Sequence, residues 1–254
     1  MIKIKEPKAV IKKDTDIAVV GDLGLKEIWD YTLKEGQLRS FILSKTDTKE
    51  FAINKEKNFQ IVTSKKELLD FLKLKNCDLN KLKKLLKSLR SKNIDLITTN
   101  YVITDGLINN FKIHRYIDEV IIELNPKLND YFYSKHYVKY YPIISTKFKN
   151  KYSLGFYELF KFKIGSFNFI NLPIDLNYLY RKFNISDTYK KDFNKLKIKI
   201  IDQIIEEINL NTDLKIKFKG KDFYNHNVIN FTIKKESVKN KNIKNIKGFG
   251  KIYS

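Results

Sequence analysis

The chain has little of what an enzyme of its size commonly uses. One cysteine, Cys77, among 254 residues rules out an intrachain disulfide and fits a reducing compartment. The three histidines, His114, His136 and His226, are scattered, with none of the pairing that holds a metal beside a nicking tyrosine. His114 and His226 fall in predicted hairpin loops and read as surface polar residues. No GxxxxGK[ST] string occurs, so a P-loop is excluded, and the GFG at 248–250 has no helix after it. Carboxylate neighbours such as Glu206 and Glu207 read as a solvated helix surface. No catalytic residue, metal ligand or cofactor site is expected. No apolar run approaches the roughly 18 residues of a membrane span. The opening MIKIKEPKAVIKKDTD lacks the apolar stretch and cleavage site of a secretory signal. A soluble cytoplasmic protein with no membrane partner is expected.

What the sequence has in excess is positive charge. Fifty Lys and Arg face 29 Asp and Glu, for a formal net charge of +21 at pH 7. Charge of that sign and size suits a polyanion, either nucleic acid or an acidic membrane surface. Part of the lysine follows A/T-rich coding, since Asn, Ile, Phe and Tyr are abundant too. Such coding favours Glu equally, so it leaves the imbalance unexplained. The length allows one large domain or two small ones, each with a core.

Residues 1–22 are lysine-rich with little periodicity and are expected to form an arm or edge strand. From Leu23 to Ser44 the spacing of Leu25, Ile28, Trp29, Leu33, Leu38 and Ile42 is roughly helical, with a break near Gly36. FQIVTSKKELLDFLKLKNCDLNKLKKLLKSLRSKNI then predicts strand, helix, turn, helix. Ser64 and Glu67 have capping-box spacing. Asp78 is placed to cap the second helix, whose apolar stripe is Leu79, Leu82, Leu85, Leu86 and Leu89. Extended segments at 94–103 and 118–125 flank a Gly–Asn loop, DGLINNFKIHR. A seam is expected at YVKYYPIISTKFKNKY, where Tyr137, Tyr140 and Tyr141 read as packing residues rather than a stacking platform for single-stranded bases.

Beyond the seam the same order returns. SLGFYELFKF is a short helix, LPIDLNYLYRKFNI a second, and DTYKKDFNKLKIKIIDQIIEEINLN, residues 187–211, a third. DLKIKFKG and NVINFTIK follow as a hairpin joined by KDFYNH. Helix, helix, long helix, hairpin is the order of a winged helix. The expected fold is therefore α+β with two tandem winged-helix domains, at 23–146 and 147–236. A basic, low-complexity tail occupies 237–254.

The third helix of the second half carries its charges backwards. Lys190, Lys191, Lys195, Lys197 and Lys199 crowd its start, while Asp202, Glu206 and Glu207 lie towards its end. Lysines at a helix N-terminus cost roughly 0.3–1 kcal/mol each. At helical spacing Phe193, Leu196, Ile200, Ile204 and Ile208 share an apolar face, widened by Ile198, Ile201 and Ile205. Lys191, Lys195 and Lys199 fall opposite. The N-terminal part of the second helix of a helix-turn-helix enters the major groove, where phosphates would offset the dipole penalty. A solvated charged face is the alternative. The hairpin favours DNA, because Lys215, Lys217 and Lys219 alternate with Leu214, Ile216 and Phe218. In the first half Asn80, Lys84 and Lys87 lie opposite the leucine stripe. Its hairpin carries Glu119 and Glu123, so its wing is a poorer phosphate contact.

Taken together these strings resemble a known family. Lys151, Tyr152 and Ser153 leading to Tyr157, Glu158 and Leu159, then Tyr189 through Phe193 and Lys195 to Glu207, Ile208 and Asn209, then Thr212 and Asp213, are similar to the second winged helix of iteron-binding plasmid replication initiators of the RepB, RepE and Pi type. The resemblance covers about 147–235, and LKKLLKSLRSKNI with VIIELNPKLNDYF extends it thinly over 60–146. It implies a protein that binds repeated double-stranded sites at a plasmid origin, promotes melting and recruits the host initiator and helicase. It further implies a homodimer, in equilibrium with the monomer, that represses its own gene. By position, DNA-facing candidates are Thr188, Lys190, Lys191, Asn194, Lys195 and Lys199, with Lys215 and Lys217 on the wing. Where the family often has Arg this chain has Lys, which lacks the bidentate fork that best reads guanine. Specificity would then lean on Asn194, Thr188 and the shape of A/T-rich DNA. A transcriptional repressor built from the same modules is the alternative, and a nicking enzyme is argued against by the scattered histidines.

Overall fold

The computed structural model describes residues 18–21, 28–46, 60–75, 78–97, 102–128, 137–222, 224–225 and 227–236. The tail at 237–254, most of the 1–22 arm, Cys77, His136 and His226 lie outside the described residues. Strand β1 (Ala18–Gly21) pairs antiparallel with β7 (Tyr137–Tyr140), so the end of the expected arm is an edge strand. The first half continues with α1 (Leu33–Lys45), β2 (Gln60–Thr63), α2 (Lys65–Phe71) and α3 (Leu79–Ser91). Four strands follow: β3 (Asn93–Ile97), β4 (Val102–Gly106), β5 (Ile108–Ile113) and β6 (Val120–Leu124). After β7 and a 3-10 turn, the second half comprises α4 (Ser153–Ile164), β8 (Phe169–Asp175), α5 (Leu176–Lys182) and α6 (Asp187–Lys190). Then come α7 (Phe193–Leu196), a π-helical turn (Lys197–Ile201) and α8 (Asp202–Asn211), joined end to end, and the hairpin β9 (Leu214–Lys221) and β10 (Val228–Lys235).

The duplication expected from element order is present in the sheet topology. The strand before each helix-turn-helix pairs with the last strand of the wing, giving the orders β2-β6-β5 and β8-β10-β9. Local chemistry repeats as well. Ser64 caps α2 by accepting the Glu67 N–H at 2.9 Å, and Asp175 caps α5 by accepting the Tyr178 N–H at 2.8 Å. Each of these helices ends in a left-handed residue, Lys73 at φ 52° and Asn184 at φ 42°. In both, an N–H reaches back five residues, from Leu74 to the Leu69 carbonyl (2.9 Å) and from Ile185 to that of Tyr180 (3.0 Å), which closes the helix and aims the next one.

Several boundaries differ from expectation. DGLINNFKIHR is not a loop: its Ile108–Ile113 stretch is β5, and the extended segment at 94–103 divides between β3 and β4, a separate hairpin. LPID belongs to β8, not to a helix. Pro173 there disguises a strand, and is tolerated because β8 lies at the sheet edge. Asp78 makes no cap bond to α3; it accepts from the Lys75 N–H and from Lys81 Nζ, each at 3.2 Å. Gly36 does not break a helix but sits within α1, beneath the ring of Trp29.

That ring fills a slot between two helical glycines. A Cβ on Gly36 would meet it at 3.2 Å, and one on Gly155 of α4 at 2.7 Å. The indole N–H donates to the Lys151 carbonyl at 2.9 Å. One turn further on, the Arg39 guanidinium lies 5.4 Å from the Trp29 ring centre and donates to both oxygens of Glu158, at 3.0 and 3.3 Å. Both side chains are buried, at 0% and 2% exposure, and Tyr140 donates its hydroxyl to the same carboxylate at 2.6 Å. Helix α1 is thereby locked onto α4. Arg39→Leu should cost about 3–5 kcal/mol in urea unfolding, because Glu158 stays buried and charged. Adding Glu158→Leu should recover most of that loss.

Candidate nucleic-acid interface

The candidate reading helix of the second half is shorter than its sequence indicates. The predicted helix at 187–211 breaks after α6, and Asp192 restarts it by accepting the Lys195 N–H at 2.9 Å. Thr188 and Lys190 therefore lie on α6 and Lys191 at its end, all exposed, while Asn194, Lys195 and Lys199 are exposed on the helix that follows. The break relieves part of the inverted charge pattern, since Asp192 now stands at an N-terminus, where a carboxylate is favourable. Lys197 is compensated too, by Asp202 at 2.7 Å, and Lys190 by Asp187 at 2.8 Å. Among the described residues, no carboxylate pairs with Lys191, Lys195 or Lys199.

Glu207 corrects the expectation of a solvated surface. Its carboxylate accepts the backbone N–H groups of Lys149 and Asn150, both at 3.1 Å, and the Ser153 hydroxyl at 2.8 Å. It thus satisfies donors at the entry to α4, and an acid unfavourable at the end of its own helix is favourable at the start of another. Glu206, its neighbour, is exposed as expected.

The wing is fixed to the helix it accompanies. Leu214 and Ile216 are buried, with Lys215 half-buried and Lys217 exposed between and after them. A bulge at Lys219, between the pairs Phe218–Phe231 and Gly220–Asn230, shifts the alternation beyond it. Lys221 consequently turns back and sets its ammonium 4.3 Å from the centre of the Phe193 ring, at the start of α7. Phe193, Phe218, Phe231 and Phe160 then form a ladder, with centroid separations of 6.3, 5.7 and 5.2 Å, from the helix start down to α4. At the root of the wing Asp213 accepts from Lys161 Nζ and the Tyr157 hydroxyl, both at 2.8 Å. Burial raises its pKa, but the Lys161 charge and these hydrogen bonds outweigh burial and hold it below the usual carboxylate range.

In the first half, Asn80, Lys84 and Lys87 are exposed on α3, on the side away from the buried Leu82, Leu86 and Leu89. Leu79, expected in that stripe, is 38% exposed. The first wing is β5 and β6. Its Glu123 pairs with Lys112 at 3.2 Å, and in its turn His114 Nδ1 accepts from the N–H groups of Tyr116 and Ile117. The two halves thus present the same parts on the surface: an exposed polar flank of a second helix, beside a two-stranded ribbon. Sequence reasoning missed Lys221 and Glu207, because a bulge and a contact between distant elements leave no periodic trace.

These elements define a tandem winged-helix protein with a basic outer surface on its second helix-turn-helix and wing. The family described as Initiator Replication protein, WH1, matches residues 24–161, more than half the chain, and the chain belongs to it. It is a DNA-binding replication initiator. Among solved structures, the crystal structure of Pi initiator protein in complex with iteron DNA is similar, with a TM-score of 0.68 and 13% identity, covering 89% of this chain and 100% of that one. Domains 2 and 3 of RctB align with a TM-score of 0.47 and 12% identity over 81% of this chain and 83% of that one. No curated protein matches the sequence. No helix among the described residues is long and apolar enough to cross a membrane.

The two neighbouring acids separate cleanly by experiment. Glu207→Ala should lower unfolding free energy by about 1.5–3 kcal/mol, since it abandons three donors bonded to a charged group. Glu206→Ala should stay within about 0.5 kcal/mol of wild type in the same urea titration.

Proposed function

We propose that this initiator binds repeated double-stranded sites at a plasmid origin with both of its winged helices. Residues 23–146 form the first and 147–236 the second. The second is the main reader: Thr188, Lys190, Lys191, Asn194, Lys195 and Lys199 face the major groove, and Lys215 and Lys217 rest on phosphate. Asn80, Lys84 and Lys87 serve the first. The observation that carries this reading is the set of lysines on α7, the π-turn and the lysine face of β9. Of these, Lys195, Lys199 and Lys217 are exposed and make no ion pair with a described carboxylate, whereas Lys197 pairs with Asp202 and Lys215 is half-buried; the Lys221–Phe193 contact fixes helix and wing relative to one another. The similarity in fold to Pi initiator protein, whose structure holds iteron DNA, supports it.

Binding energy alone, without bond-making chemistry, would promote melting of the A/T-rich DNA and recruit host initiator and helicase proteins in the cytoplasm. A homodimer in equilibrium with the monomer would repress the initiator's own gene. A plain repressor would protect one inverted repeat in footprinting, whereas an initiator protects several direct repeats.

Two measurements test the contact set. The logarithm of affinity against the logarithm of salt should fall with a slope of roughly −6 to −9, at about −0.9 per neutralised phosphate. A slope near −2 would mean a single contact helix. Lys191→Glu with Lys195→Glu should abolish specific binding and leave the melting temperature unchanged, both residues being exposed. A sharp fall in melting temperature would place these side chains in the fold rather than on DNA.

A further inference from the structure

Ile198 does not widen the apolar face as expected: at 100° per residue it lies about 140° from Phe193, and it is 58% exposed. The buried set is instead Leu196, Ile200, Ile201, Ile204 and Ile208. Ordinary helical spacing accounts for this, since Leu196, Ile200, Ile204 and Ile208 recur every four residues, whereas Ile198 falls between Asn194 and Asp202 on the other side. Ile198 then joins the exposed stripe that holds Asn194, Lys195 and Lys199.

A single exposed isoleucine is unremarkable on an ordinary surface. Here its surroundings narrow what could cover it. Asn194 stands four residues before it, Lys195 and Lys199 stand beside it, and neither lysine has a described carboxylate partner. One aliphatic group beside two lysines and an amide, with Asp202 one turn on already paired to Lys197, is too small and too polar a patch for a protein interface core, which is depleted of charge. It matches the major-groove edge of an A·T pair. That edge presents one apolar group, the thymine C5-methyl, beside an adenine offering N7 as acceptor and N6 as donor, all between phosphates.

We propose that Ile198 is a specificity-determining residue that packs on a thymine C5-methyl, while Asn194, one turn earlier, makes paired hydrogen bonds to an adjacent adenine. The inference rests on the reading above, that this helix enters the major groove, and adds the residue and the chemical group through which it prefers A/T-rich DNA.

Deoxyuridine differs from thymidine only by the missing methyl, so it tests the contact directly. The probe is the tightest duplex that the full-length protein selects from a random pool, with each thymine replaced in turn by deoxyuridine. At one or two positions the replacement should weaken wild-type binding roughly three- to ten-fold, the scale of one buried methyl group. Ile198→Ala should lose a similar factor on the thymine duplex, lose nothing further on the deoxyuridine duplex, and keep the wild-type melting temperature. Asn194→Ala should likewise become insensitive to 7-deazaadenine, which lacks the N7 acceptor. If Ile198→Ala loses equally on both duplexes, or no thymine is sensitive, the proposal is overturned. If Lys191→Glu with Lys195→Glu binds the thymine duplex as tightly as wild type, the groove reading itself fails and the proposal falls with it.

Discussion

An arginine and a glutamate without access to water, Arg39 on α1 and Glu158 on α4, set the relation between the two winged helices. Removing two charges from water is expensive, and their attraction repays it only when further hydrogen bonds complete the site. Tyr140 supplies one such bond to Glu158, and the Trp29 ring lies against the guanidinium. Each candidate reading helix is then one contact from this pair. Helix α3 reaches α1 through the Ser88 hydroxyl and the Glu35 carboxylate, and α8 reaches α4 through Glu207 and Ser153. The spacing between the two candidate DNA-contacting surfaces is therefore a property of the buried pair rather than of the surfaces.

Such a pair contributes less to stability than to arrangement, since a well-packed apolar replacement would serve stability as well. What it adds is selectivity among packings. A guanidinium between two helices tolerates one registration, in which its fork meets the carboxylate. The glycines on either side of Trp29 act in the same direction, since a Cβ on Gly155 would lie 2.7 Å from the indole. The helices approach closely only where the ring slides between them.

Much of this architecture was legible in the sequence because it rests on local rules. Helix α3 follows from its leucine spacing, α2 from the Ser64 cap, and the wing from alternating lysine in DLKIKFKG. The repeated order of elements led to two winged helices, and the topology bears this out. The failures share a cause. Pro173 hid β8 because an edge strand obeys different rules from a central one. Asp192 was lost in a run of lysines, so a cap was taken for helix interior. Ile198 was grouped with the apolar face by residue type, although five residues beyond Phe193 a helix has turned about 140° away. The candidate site was visible as residue types, with Lys195, Lys199 and Lys217 all on the surface. Glu207 and Lys221, which hold that surface in position, owe their roles to partners far away in the chain.

The distance in sequence between those partners bears on how the protein forms. Arg39 and Glu158 are separated by 119 residues, and Trp29 and Lys151 by 122. Contacts of such range must be closed against a large loss of chain freedom, so they reward folding late. During synthesis α1 emerges with Arg39, and the segment before it with Trp29, lacking their counterparts, and this lasts until α4 has left the ribosome. The nascent first half is thus held short of completion, and its outer surface becomes rigid only once the second half is there to receive it.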